Sequence, residues 1–252
     1  MQTASRDFSK DNVLITGGGS GVGFEVAKMF LAAGATVTIM GRNQNKLDVA
    51  AKELMSGNIY AVQGDVANSS DCDQAVQFAS EAGSMPVTIL VNNAGVILRK
   101  SAEDILDLEW ERVMKINVTG LFFMSRAAAR QMPDGGVIVN LSSNCGRYGA
   151  AGLTAYCASK GAVDQITRTM ALELAPRKIT VNAVAPGAIN SPMLFSEHGD
   201  PDLAKTVIDR NIETIPIGAV AEPEEIARAI IYLAGERHIT GSILRIDGGF
   251  TA

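Results

Sequence analysis

Seven short runs rich in β-branched residues are spread along the chain, and amphipathic segments of helical period fill the intervals between them. The runs are Val13–Ile15, Ala35–Met40, Ile59–Val62, Val87–Val91, Val137–Leu141, Ile179–Val184 and Ser242–Ile246. In the first interval, Val22–Ala33, the residues Val26, Phe30 and Leu31 keep the spacing of one helical face. Strands that alternate with helices in this way bury both sheet faces under helices, which calls for a parallel sheet. Right-handed crossovers then give a doubly wound topology. The expected fold class is therefore α/β: a single-domain Rossmann fold, with a seven-stranded, mostly parallel sheet and helices on both faces. With 252 residues and no linker, repeat or low-complexity stretch, one domain over 11–252 is expected behind a polar tail at 1–10.

Charge and cysteine usage narrow the function classes. The 22 Lys+Arg against 27 Asp+Glu give a net charge of −5, and no basic run exceeds Arg99-Lys100 or Arg177-Lys178, which argues against a nucleic-acid surface. Any phosphate must be held by local geometry. Cys72, Cys145 and Cys157 have no metal-ligand spacing, and with only His198 and His238 available no metal site is expected. No apolar run reaches the ~18–20 residues of a membrane span. Residues 1–10 lack the apolar core of a signal peptide. A cytoplasmic protein with reduced thiols is the expectation.

Tyr156 and Lys160 stand four apart in a run of helix formers, so phenol and ammonium share one helical face. A free tyrosine titrates near pH ~10. A neighbouring cation favours the phenolate and turns the group into a general acid/base. Thirteen residues upstream, Ser143 follows the apolar run Val137–Leu141 and can donate to a carbonyl oxygen held against the same phenol. Near the start, Thr16-Gly17-Gly18-Gly19-Ser20-Gly21-Val22-Gly23 lies between a strand and a helix, the context of a dinucleotide-binding turn. Glycines admit the pyrophosphate close to the backbone, and the helix N-terminus favours its charge.

Together with Asn92-Asn93-Ala94-Gly95 and Asn117, these motifs resemble the short-chain dehydrogenase/reductase family over roughly Asp11–Gly249. The resemblance implies an oxidoreductase that interconverts a ketone and a secondary alcohol by hydride transfer. Ser143 would polarise the carbonyl, and Tyr156 would act as general acid/base. Lys160 would assist the tyrosine and hold the nicotinamide ribose, and Asn117 would hold a proton-relay water. Cofactor contacts fall on Gly17, Gly19, Ser20, Gly21, Val22, Gly23, Asp65, Val66, Asn92, Ala94, Gly95, Tyr156, Lys160, Pro186, Gly187, Ile189 and Ser191. Of the asparagine pair, Asn92 is expected beside the cofactor and Asn93 in support of the turn.

After the second strand the sequence runs Met40-Gly41-Arg42-Asn43, with no acidic residue for ribose hydroxyls and a guanidinium suited to a 2′-phosphate. NADP(H) is favoured, with NAD(H) kept as the other choice. The substrate pocket is expected to include Val96, Cys145, Tyr148, Leu153, Met193 and Leu194, with a lid over 192–214. That mostly apolar set suits a 3-oxoacyl thioester or a small apolar ketone. A sugar, sugar-acid or polyol dehydrogenase using NAD(H) is the alternative, as are a longer-chain epimerase or dehydratase and a nucleotide-sensing protein without catalysis. The apolar Leu121-Phe122-Phe123-Met124 run, read with the family resemblance, implies a homotetramer.

Overall fold

The computed structural model of the chain describes residues 7–191, 206, 209 and 212–252. Seven strands form one sheet in the order β3-β2-β1-β4-β5-β6-β7. They are β1 (Asn12–Thr16), β2 (Thr36–Gly41), β3 (Ile59–Gln63), β4 (Ile89–Asn92), β5 (Val137–Leu141), β6 (Thr180–Pro186) and β7 (Ile243–Ile246). Every pairing is parallel. Alternation along the strands sorts the core into two layers. Val13, Ile15, Val37 and Ile39 pack with Val26 and Phe30 of α1 (Gly21–Ala32) and with Ile226 and Ile230 of a late helix, Pro223–Gly235. Leu14, Met40, Leu90 and Ile138 pack on the other face with Val76 of a helix at Ser69–Ala82 and Met124 of one at Leu121–Gln131.

The chain order reverses between β1 and β4, so the loops leaving these strands diverge and open a crevice at the carboxyl edge. This is where the glycine-rich turn and Asn93-Ala94-Gly95 emerge. The helical run around Asn117 is interrupted: a helix at Asp107–Met114 passes into a π turn, Lys115–Gly120, before the helix at Leu121–Gln131. Of the apolar run 121–124, Leu121 and Met124 are buried in the core, and only Phe122 is exposed. No helix among the described residues is long and apolar enough to cross a membrane.

Candidate active site

The crevice is built by two loops locked together. Gly17 leaves β1 with φ +69°, a conformation that favours glycine, and its N–H donates to the Met40 carbonyl at 2.7 Å. Asn93 Nδ2 donates to the carbonyls of Thr16 (3.0 Å) and Gly17 (3.1 Å), and Thr16 Oγ1 accepts from the N–H groups of Asn93 and Ala94, both at 3.1 Å. The turn delivers the N-terminus of α1 to the crevice, where Ser20 occupies the cap position without a side-chain cap hydrogen bond. An uncapped helix start beside several glycines fits the phosphates of a dinucleotide. Gly17, Ser20, Gly21, Val22, Arg42, Asp65, Val66, Ala94, Gly95, Ile189 and Ser191 all line this cleft. Asp65 also closes an Asx turn, its Oδ1 accepting from Ala67 N at 2.9 Å.

Three expectations are revised here. Asn92 is the last residue of β4 and is buried, its Nδ2 donating to Ser125 Oγ (2.8 Å) and Asn140 Oδ1 (2.9 Å). Asn93, one residue on, lines the cleft as well as tying the turn. Gly23 does not line the cleft and is closely packed, since a Cβ there would lie 2.5 Å from the Gly17 carbonyl oxygen. Val96 lines the cleft, not the substrate pocket. Gly19 lies against Leu47.

Beyond Ile189 and Ser191, which line both spaces, a second pocket of about 350 Å³ opens. Ser143 and Tyr156 both line it, together with Cys145, Tyr148, Leu153 and Gly187. Ser143 follows β5, and Tyr156 stands in the first turn of a helix that runs Thr154–Leu174. Ser143 Oγ accepts from Cys145 N at 3.2 Å, while among the described residues its own proton has only long acceptors, Asn144 Oδ1 at 3.3 Å and the Pro186 carbonyl at 3.4 Å. That hydroxyl proton is thus available to a carbonyl oxygen in the pocket.

Lys160 is buried behind the phenol. Its Nζ lies 5.6 Å from the Tyr156 ring centroid and donates to the Leu141 carbonyl at 2.7 Å. Burial pulls this ammonium down to about 8, opposed by the negative charge of Asp164. Asn117 sits within the π turn. Its Oδ1 accepts from Val96 N (2.8 Å), and its Nδ2 donates to the Val96 carbonyl (2.8 Å) and Ser159 Oγ (3.0 Å). The Cys145 thiol is pushed up to about 11 by burial and by Cys157 beside it, so it is not a ready nucleophile. Among the described residues, no group of three or more His, Cys, Asp or Glu could hold a metal.

A family model described as short chain dehydrogenase matches residues 11–201. The chain belongs to the short-chain dehydrogenase/reductase family. It is accordingly an oxidoreductase working between alcohol and carbonyl. The galactitol 2-dehydrogenase (L-tagatose-forming) of Cereibacter sphaeroides is 39% identical over 94% of this chain and 93% of that protein. An NADP-dependent (R)-specific alcohol dehydrogenase of Lentilactobacillus kefiri is 35% identical over 95% and 96% of the two chains. Among solved structures, a Brucella melitensis short-chain dehydrogenase/reductase described as a glucose/ribitol dehydrogenase superposes with a TM-score of 0.91 at 30% identity, covering 98% of both chains.

Within this short-chain dehydrogenase/reductase, several pocket residues escaped the sequence reading. Asn144 lines the pocket, as do Ile215, Asp247 and Phe250 from the C-terminal part of the chain, beside Arg99 of the basic pair Arg99-Lys100. Gly187 brings Asp247 in: its N–H donates to the Ile246 carbonyl at 2.9 Å, and a Cβ on it would lie 3.0 Å from the Asp247 side chain. The one signal for this in the sequence is the Asp247-Gly248-Gly249 ending after the last strand. Met193, Leu194 and most of the expected lid lie outside the described residues.

Proposed function

We propose that the chain interconverts a ketone and a secondary alcohol with NADP(H), using Ser143, Tyr156 and Lys160. The observation that carries this reading is that Ser143 and Tyr156 line one pocket, which meets the dinucleotide cleft at Ile189 and Ser191. The nicotinamide cofactor supplies the hydride when bound. Ser143 donates its loosely held proton to the substrate oxygen and fixes its place. Tyr156 gives that oxygen a proton in reduction and takes it back in oxidation. The Lys160 cation favours the phenolate from behind, and Asn117 holds the π turn beside it. Arg42, at the edge of the cleft where no acidic residue follows β2, would take a 2′-phosphate.

The test is a kinetic screen with NADPH and NADH over ketones of graded size and polarity. Tyr156→Phe should abolish turnover and leave NADPH binding, followed by fluorescence titration, within about twofold. Residual turnover near the parent rate would remove tyrosine from the role.

A second reading, a sugar or polyol dehydrogenase, is favoured by one observation: Arg99, Asn144 and Asp247 join a pocket whose apolar wall includes Ile97, Leu153, Ile215 and Phe250. The relative that acts on galactitol supports the same choice. A ketose and an alkyl ketone of equal length discriminate the two by their kcat/KM. We further propose a homotetramer in a reducing, cytoplasmic setting, supported by exposed Phe122 and Leu172 and by three unpaired cysteines. Light scattering at micromolar concentration reads the assembly directly.

A further inference from the structure

Asp164 stands one helical turn after Lys160 and is 4% exposed. Its Oδ1 accepts a 2.5 Å hydrogen bond from Ser142 Oγ. Ser142 immediately precedes Ser143, and its hydroxyl also lies 3.5 Å from the Lys160 carbonyl. On the far side of Ser143, the turn Asn144–Gly146 comes back onto the same carboxylate. A Cβ on Gly146 would lie 2.8 Å from Asp164 Oδ2 and 2.9 Å from the Lys160 carbonyl oxygen. One side chain of the helix bearing Tyr156 and Lys160 therefore meets the loop on both sides of Ser143.

A buried carboxylate is costly unless it is paired and hydrogen-bonded. Burial does raise the Asp164 carboxyl, and Ser142, Arg168 and Lys160 oppose that rise. Arg147 and Arg245 share with it a small polar cavity behind Ser143. The Ser142 hydroxyl and two cations of the acid's own helix, Lys160 and Arg168, thus offset the burial of this one carboxylate.

We infer that Asp164 is a positioning residue, which holds the Ser142–Gly146 segment against the catalytic helix and so sets the Ser143 hydroxyl in register with the Tyr156 phenol. Gly146 is the counterpart of this contact, because any larger residue would lift the turn off the carboxylate. The inference rests on the catalytic reading of Ser143 and Tyr156 given above.

The experiment compares Asp164→Ala, Asp164→Asn, Ser142→Ala and the Ser142→Ala/Asp164→Ala double variant with the parent and with Tyr156→Phe. A misplacement of about 1 Å can lower turnover roughly 100-fold. Asp164→Ala should therefore lower kcat by about 10- to 100-fold, with KM and the NADPH dissociation constant within about threefold. Asp164→Asn, which keeps an acceptor for Ser142, should recover most of the loss. The double variant should lose no more than the worse single one, since both remove the same contact. If Asp164→Ala does not fold, Ser142→Ala carries the test with the carboxylate in place. Folded variants with kcat within twofold of the parent, or losses that multiply in the double variant, would overturn the inference alone. Retained turnover in Tyr156→Phe would overturn the site reading, and this inference with it.

Discussion

The ammonium of Lys160 lies 5.6 Å from the Tyr156 ring centroid and bonds the Leu141 carbonyl at 2.7 Å. The cation is thus anchored to the end of β5, the strand that also delivers Ser143. The sheet edge and the helix at Thr154–Leu174 together fix where the positive charge sits relative to the phenol.

Keeping Lys160 charged there costs stability. Its pKa falls from 10.5 to about 8 through burial, and at roughly 1.4 kcal/mol per unit this is a penalty on the order of 3 kcal/mol. Below pH 8 the lysine is charged in folded and unfolded chains alike, and the penalty is fully present. Between about 8 and 10.5 the unfolded chain retains a proton the folded one has lost, so folding gains as pH rises. Lys160→Met should abolish turnover yet raise the thermal midpoint at pH 7 by a few degrees, after allowance for about 1 kcal/mol from the lost Leu141 bond. The advantage should shrink from pH 8 upward. Equal midpoint differences at pH 7 and pH 10 would contradict the burial account.

Arg42 gives the second prediction. It is exposed at the rim of the cleft and its side chain makes no hydrogen bond or ion pair with the described residues. A charged hydrogen bond of this kind contributes about 1.5–3 kcal/mol. Arg42→Ala should raise the KM for NADPH by about 10- to 100-fold and leave that for NADH nearly unchanged. An equal loss with both would assign the arginine to something other than a 2′-phosphate.

Much of this was legible in the sequence because it depends on local pattern. The β-branched runs alternate with helical period, and both periods report burial directly. The glycine-rich turn, Tyr156 and Lys160 stand at short fixed spacings on single elements. What was hidden depends on where a strand stops or on contacts across the chain. Asn92 is buried while Asn93 lines the cleft because successive residues at a strand end point to opposite faces, so a boundary shift of one residue swaps core for cleft. The π turn around Asn117 has no residue signature, since its extra backbone slack is fixed by hydrogen bonds to Val96, 21 residues earlier. Asp247 and Phe250 join the pocket from the turn after the last strand, about 100 residues beyond Ser143, where no spacing rule reaches.

Asn117 yields a prediction that separates structure from chemistry. Its buried amide satisfies both backbone groups of half-buried Val96 and also reaches Ser159 Oγ. Asn117→Ala removes the side-chain partner of the two Val96 groups, at up to about 1–3 kcal/mol for each, while Ser159 Oγ keeps its bond to the Tyr156 carbonyl. Asn117→Asp keeps the acceptor for Val96 N but sets a carboxylate against the Val96 carbonyl. Both variants should unfold at lower urea concentration than the parent, and both should lose turnover in the folded fraction. A folded variant of parental stability and parental kcat would remove Asn117 from both roles.

The last prediction concerns the size of substrate the pocket accepts. Phe250 meets Tyr148 edge to face, with centroids 5.3 Å apart and planes at 86°. Both rings line the space that contains Ser143 and Tyr156, so together they set one wall of it. Such a pair contributes about 0.5–1.5 kcal/mol beyond the area it buries, equivalent to roughly two- to twelvefold in a rate or affinity ratio. Phe250→Ala opens the wall without touching the proton-transfer groups. For a small ketone the lost contact should lower kcat/KM by about that factor, mostly through KM. For a ketone longer by a ring or several methylenes, the cleared volume should offset the loss and bring kcat/KM to the parent value or above. The diagnostic quantity is the ratio of kcat/KM for large and small ketones in the same preparation, which cancels any difference in active fraction. An unchanged ratio would mean that the aromatic pair braces the end of the chain and leaves substrate size to other residues.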